Sequence, residues 1–171
     1  RNFAISKTKI KYLYIPILYS FEMRLWASYK INVLKNRWNT FTSIDFKDIV
    51  IKKIHVNSKS LDEFNIHANL IKIDSEGSEL EVVKSAIKTI KKNLPILIIE
   101  FNHHNYNKIN FFLKKINYES FLFDKSNNEL KLITINTLNE IRSSTTSTNI
   151  VFYNSQSNHF NKKTKIKIKR K

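Results

Sequence analysis

The sequence predicts an α/β protein built as half of a doubly wound sheet, and three observations carry that expectation. Residues 70–74 and 95–100 are short apolar runs, the second unbroken from Pro95 to Ile99, as in a strand covered on both faces. Between them Leu80, Val83, Ile87 and Ile90 recur at helical spacing, so one stripe of that segment faces a core. A second helical pattern follows, with Tyr106, Ile109, Leu113 and Ile116 on one side, and further strand-like runs come after it. Strand, helix, strand, helix, strand is the alternation of a sheet with parallel members, whose crossovers lay helices on its faces.

Taken in order, residues 9–15 alternate in part and predict a strand that Pro16 stops. Residues 18–36 fit either a helix or an irregular cover. Residues 49–56 predict a strand, and Ser60 with Glu63 is spaced as a capping box for a short helix over 60–64. The strand at 70–74 is punctuated by Ser75-Glu76-Gly77-Ser78, and a single helix is expected over 78–92. After the strand at 95–100 and the second helix, residues 121–123, 130–133 and 149–153 predict three more strands. A polar loop, residues 143–148, lies between the last two. Their closeness in sequence suggests that one runs antiparallel at a sheet edge. No internal repeat is present.

Composition narrows the chemistry. The chain has 171 residues, 30 Lys and Arg against 14 Asp and Glu, and a net charge of +16. That length fits one domain, expected over residues 1–154, with a basic, flexible tail over 155–171. The tail's last eleven residues carry seven positive charges and no negative one, leaving +9 on the rest. Such a tail is expected to stay solvated and could bind anionic lipid or polymer weakly; the remaining Lys is spread along the chain, so no specific nucleic-acid partner is expected. The absence of cysteine rules out disulfides, thiolate nucleophiles and Cys-ligated metals. No apolar run reaches the roughly 18 residues that span a bilayer, so no transmembrane segment is expected and a cytoplasmic location is. One glycine, Gly77, excludes a P-loop and a G-x-G-x-x-G fingerprint. No H-x-x-x-H pair or G-x-S-x-G elbow occurs, which removes zincin and serine-hydrolase readings. The opening residues read as the middle of a strand, and the expectation is a fragment with its upstream part missing.

The acidic residues are scarce but gathered. Asp62, Glu63, Asp74, Glu76, Glu79 and Glu81 fall within twenty residues against Lys72 alone, a local charge of −5. In open α/β sheets ligands bind beyond the carboxyl ends of strands. Asp74 and Glu100 each end a strand, so adjacent parallel strands would set them on one rim. Glu79 and Glu81 open a helix, where its dipole and free N–H groups already favour carboxylates by about 0.3–1 kcal/mol each. Asp74 and Glu76 precede the turn and are explained less well by capping. Gly77 answers a steric demand at that turn, for positive φ or close approach. His103 and His104 follow Glu100 on the same expected rim, and His103 could act as a base or orient a hydroxyl. The acids lack a ligand set, and no metal is expected.

These residues resemble a known family. Leu70-Ile71-Lys72-Ile73-Asp74-Ser75-Glu76-Gly77-Ser78-Glu79 is similar to the KIDxEGxE signature of FkbM-type methyltransferases. Ser60-Leu61-Asp62-Glu63-Phe64 resembles the family's LDxF segment, and Pro95-Ile96-Leu97-Ile98-Ile99-Glu100 its P-apolar-E strand. Asn2-Phe3-Ala4-Ile5-Ser6 is similar to the short strand that opens this half of the domain. The resemblance is dense over residues 61–100. It implies a partial Rossmann-like class I methyltransferase fold without its N-terminal cofactor-binding strands, S-adenosylmethionine as cofactor, and O-methylation of a sugar or small-molecule hydroxyl. Carried over, Asp74, Glu76 and His103 would be catalytic, and Asp74, Gly77 and Glu100 would bind the cofactor. Ser85 stands where the family usually has glycine. Two alternatives remain: a methyltransferase-like domain that binds a partner or glycan without turnover, and a basic module that binds anionic polymer or membrane through its tail.

Overall fold

The computed structural model describes residues 3–6, 12–75, 77–143, 148–157 and 167–169. The chain divides into two compact units, residues 1–60 and 61–171.

In the first unit, β1 (Phe3–Ile5) pairs in parallel with β5 (Asn57–Lys59). A separate antiparallel sheet has β2 (Tyr12–Leu18) between β3 (Phe21–Glu22) and β4 (Val50–His55). Pro16 does not stop β2, contrary to expectation. Tyr14 exchanges both backbone hydrogen bonds with Ser28, and the Pro16 carbonyl accepts from Met23 on that same side. The proline's missing N–H therefore falls away from the β4 ladder, where a strand tolerates it. The ambiguous stretch resolves into β3, a 3₁₀ turn at Arg24–Trp26 and α1 (Ile31–Phe41). Leu34 and Trp38 of α1 are buried; the Trp38 indole donates to the Ile44 carbonyl at 2.8 Å and meets Trp26 edge-on at 5.5 Å.

The second unit is built on a six-stranded mixed sheet. Its strands are β6 (Leu70–Ile73), β7 (Ile96–Glu100), β8 (Tyr118–Asp124), β9 (Glu129–Leu132), β10 (Asn149–Asn154) and β11 (Lys167–Lys169), in the order β11-β9-β8-β10-β7-β6. β6 and β7 are parallel. β10 is antiparallel to both β7 and β8, so β8 runs with β6 and β7. An antiparallel final strand is present as expected, but it is inserted between β7 and β8 instead of lying at an edge. Within the expected tail, Lys167–Lys169 pair in parallel with β9.

Where one helix is expected over 78–92, two form: α2 (Glu79–Ser85) and α3 (Ile87–Asn93). The break has a visible cause. The Asp62 carboxylate accepts from the backbone N–H groups of Lys88 at 3.0 Å and Thr89 at 2.8 Å. Those donors are thereby taken from the carbonyls of Lys84 and Ser85, and Ser85 turns its hydroxyl onto the Val82 carbonyl at 2.7 Å. Asp62 itself sits in a 3₁₀ turn, Leu61–Phe64, the short helix expected there. Leu94 ends α3 in the left-handed region, φ 47°, ahead of Pro95. α4 (Tyr106–Lys114) matches the second helical stripe, with Tyr106, Ile109 and Leu113 buried. α5 (Ile135–Ser143) was not expected; Thr134 opens it, its hydroxyl 3.0 Å from that of Thr137, and Leu138 and Ile141 turn to the core. Residues 144–147 of the expected polar loop lie outside the described residues.

The helices of this unit, α2 to α5, share one face of its sheet. Val83, Ala86 and Ile90 of the α2–α3 segment, the three buried α4 residues and Ile141 of α5 close over Ile73, Leu97, Ile99, Ile150 and Phe152. The opposite face gathers Phe121, Leu130, Val151 and Tyr153, with Ile96, Leu132 and Ile168 against them, from strands alone. β7 is accordingly buried at Leu97 and Ile99 but only half-buried at Ile96 and Ile98, not covered on both faces as its apolar run suggests. Ile96 and Ile98 line a groove of about 500 Å³ with Leu70, Leu122, Val151 and Lys125 among its walls.

Candidate active site

Parallel pairing brings the two strand-ending acids together. Ile73 and Ile99 are register partners, so the next residue of each strand, Asp74 and Glu100, stand side by side beyond the carboxyl ends of β6 and β7. Glu100 is close enough to Asp74 to act on its titration. β10 starts at this rim, with Asn149 opposite Glu100 and the Phe101 N–H donating to the Thr148 carbonyl at 2.7 Å. Asp74 is exposed, and Lys72 reaches along the strand to its carboxylate at 2.9 Å. The Lys72 hydrogen bond holds the Asp74 carboxyl below its usual range; partial burial opposes this, and the Lys72 charge and the neighbouring Glu100 add to it.

The turn after Asp74 is held from behind. Gly77 has φ 93°, in the region that favours glycine, so this lone glycine stands where a side chain would be strained. Glu79, the first residue of α2, is 1% exposed. Its carboxylate accepts from the Gly77 N–H at 2.7 Å, from the Asn105 amide at 3.1 Å and from the Ser75 hydroxyl at 3.4 Å. The same Asn105 amide donates to the Gly77 carbonyl at 3.0 Å. Glu79 thus serves the turn itself, more than the helix-end electrostatics that its position suggests. Glu81 faces Lys84 at 3.2 Å. Glu76 lies outside the described residues.

His103 is exposed on the loop after β7, its ring edge-on to Phe101 at 5.0 Å. Its described contact is with that ring and not with Asp74 or Glu100. The loop is a tight one: Asn102 accepts from the His104 N–H through its side chain and from Asn105 and Tyr106 through its carbonyl. Sequence reasoning missed Asn105. The available signal was an asparagine just before the helical stripe that starts at Tyr106, a common capping position, but its amide crosses to another loop, a tertiary contact no spacing encodes. Among the described residues no group of three or more His, Asp or Glu could hold a metal ion, and no helix is long and apolar enough to cross a membrane.

The arrangement can attract a cation or accept hydrogen bonds from a hydroxyl: two adjacent carboxyls at a strand-end rim, one held ionised by a lysine, above a turn braced by a buried acid. No curated protein and no solved structure matches the chain significantly. A family model, the methyltransferase FkbM domain, matches residues 2–142, most of the chain and both strand-end acids. On that match the chain belongs to the FkbM methyltransferase domain family.

Proposed function

We propose that the chain works in methyl transfer from S-adenosylmethionine to a hydroxyl of a sugar or small molecule, in a cytoplasmic setting, with the Asp74–Glu100 rim beside the cofactor's sulfonium. The observation that carries this reading is the juxtaposition of those two carboxyls at the ends of parallel strands, where α/β sheets bind ligands. The strand order supports it too: two parallel strands joined by a helical crossover extend into a sheet with an antiparallel strand inserted, in keeping with a Rossmann-like class I arrangement.

The residues present fit the cationic part of that cofactor. An ionised carboxylate at van der Waals range from a positive centre is worth about 4 kcal/mol at an effective dielectric constant near 20, less for an exposed group such as Asp74. When bound, the cofactor supplies an electrophilic methyl group; Asp74 and Glu100 orient it and the acceptor hydroxyl. His103, on the loop that follows Glu100, would serve the acceptor in this reading, and Glu76 belongs in sequence to the turn after Asp74.

The test separates charge recognition from general affinity. Calorimetry on the whole chain would compare S-adenosylmethionine with S-adenosylhomocysteine, which lacks the positive charge. Asp74→Asn is expected to weaken the methylated, cationic form by about tenfold relative to the neutral one. An unchanged ratio, or no binding of either compound to the wild-type chain, would overturn the reading and leave a methyltransferase-like domain that binds something else.

A further inference from the structure

The rim has two walls, and they come from distant parts of the chain. Asp74 leads into the Ser75–Gly77 turn, whereas Glu100 leads into the loop that ends at Asn105. The register of β6 and β7 sets Asp74 next to Glu100, but the ladder between them stops at Ile73 and Ile99; Glu100 is held further by pairing with Asn149, whereas Asp74 lies past the last described β6 pair. Among the described residues a polar link centred on Asn105 joins the two loops there. The Asn105 amide spends both hydrogens on it, one on the Gly77 carbonyl at 3.0 Å and one on the Glu79 carboxylate at 3.1 Å. Glu79 uses its other oxygen on the Gly77 N–H at 2.7 Å. The turn's single glycine is therefore gripped through both its N–H and its C=O, three residues after Asp74.

We propose that Glu79 and Asn105 are positioning residues that clamp the turn after β6 to the loop after β7 and so hold Asp74 beside Glu100. The geometry has the features such a role needs. Glu79 is buried, and every partner described for it belongs to one loop or the other. A carboxyl group that accepts from three donors is held in one orientation, because losing any one leaves a buried polar group short of a partner. The Asn105 amide carries two hydrogens and so bridges a carbonyl and a carboxylate at once. Neither residue needs to touch a ligand. Their action is on the spacing of the two carboxyls, which in turn sets what the rim can recognise, and the link to methyl transfer rests on the function proposed above.

A stability measurement cannot test this, since any buried polar contact affects stability. The discriminating measurement is the mutual titration of the rim acids, followed by carboxyl NMR on the whole chain well below its unfolding temperature. In the wild-type chain Glu100→Gln is expected to move the titration of Asp74, because the register of β6 and β7 sets the two carboxyls side by side. In an Asn105→Ala background that response is expected to be lost, although Lys72 still pairs with Asp74 on its own strand. Glu79→Gln, which keeps the shape and puts an amide against the Asn105 amide, is expected to behave the same way and covers the case in which Asn105→Ala does not fold. Asp62→Asn, which perturbs α3 without touching the clamp, is expected to leave the response intact. An undiminished response in either clamp variant would overturn the proposal. S-adenosylhomocysteine affinity, measured alongside, separates this from the proposed function: a lost titration response with unchanged affinity upholds the clamp and removes the cofactor from the rim.

Discussion

Asp62 offers the sharpest energetic prediction because two hydrogen bonds and a helix end converge on one carboxylate. It stands 26 and 27 residues before Lys88 and Thr89, whose N–H groups it accepts at 3.0 and 2.8 Å, and so caps α3 from another element. A capping side chain is worth about 1–2 kcal/mol, and a charged acceptor at a helix N-terminus adds roughly 0.3–1 kcal/mol. Asp62→Ala should therefore destabilise the second unit by about 2 kcal/mol. For a unit of this size that is a fall of roughly 8–16 °C in the unfolding midpoint. Asp62→Asn retains one carbonyl oxygen, enough for one N–H, but turns an amide donor toward the other; it should cost about 1 kcal/mol. Urea unfolding followed by far-UV circular dichroism reads both values. If Asp62→Ala lies within experimental error of wild type, or if Asn and Ala cost the same, the capping account of the α2–α3 break is wrong.

Two further predictions rest on single residues. Gly77→Ala imposes a Cβ at φ 93° and should cost about 1–2 kcal/mol by urea unfolding, an effect that Gly77→Asn partly relieves. Asp124, at the tip of the β8–β9 hairpin, accepts from Lys131 at 2.6 Å, from the Asn127 amide at 2.8 Å and from the Ser126 N–H, and these bonds hold its carboxyl far below the usual range. A depressed folded-state value stabilises above the unfolded value near 4 and is lost as pH falls through the folded one. Stability should decline below about pH 4, and Lys131→Met should make that decline shallower; an unchanged acid limb would remove the ion pair from the account.

What the sequence made legible was what short-range physics controls. Residues 70–100 combine a helical stripe with bounding strands, and both strands form within a residue of their expected limits. The adjacency of Asp74 and Glu100 followed from one inference, that consecutive strands joined by a helix pair in parallel, and register then did the rest. The failures share a different character. The helix break at Ala86 originates in Asp62, the tolerance of β2 for Pro16 in the side on which Ser28 and Met23 pair, and the brace behind Gly77 in Asn105. Each cause lies outside the window in which periodicity is read. α5 is the exception: Thr134, Leu138 and Ile141 carry a cap and a stripe, but strongly polar residues between them dilute the signal. The placement of β10 between β7 and β8 depends on long-range pairing, which strand patterns do not specify.

The charge state of Asp74 also decides what kind of contribution it can make. A general base works best when its pKa lies near the operating pH, and a carboxyl held below its usual range by Lys72 is far from that optimum. Its proton affinity is the wrong asset for removing a hydroxyl proton; its persistent negative charge is the useful one. On the proposed function that charge would stabilise a bound sulfonium most before transfer, since positive charge on sulfur declines as the methyl leaves. Interactions stronger in the ground state than in the transition state tighten binding without speeding the chemical step. With an acceptor in hand, Asp74→Asn should therefore raise the KM for S-adenosylmethionine by about tenfold and leave kcat within about threefold, whereas loss of a general base would lower kcat by about 10²–10⁴-fold. A collapse in kcat at unchanged KM would return the proton to Asp74 and reverse the roles argued for the rim, with Lys72 then needing to move away from the carboxylate before each turnover.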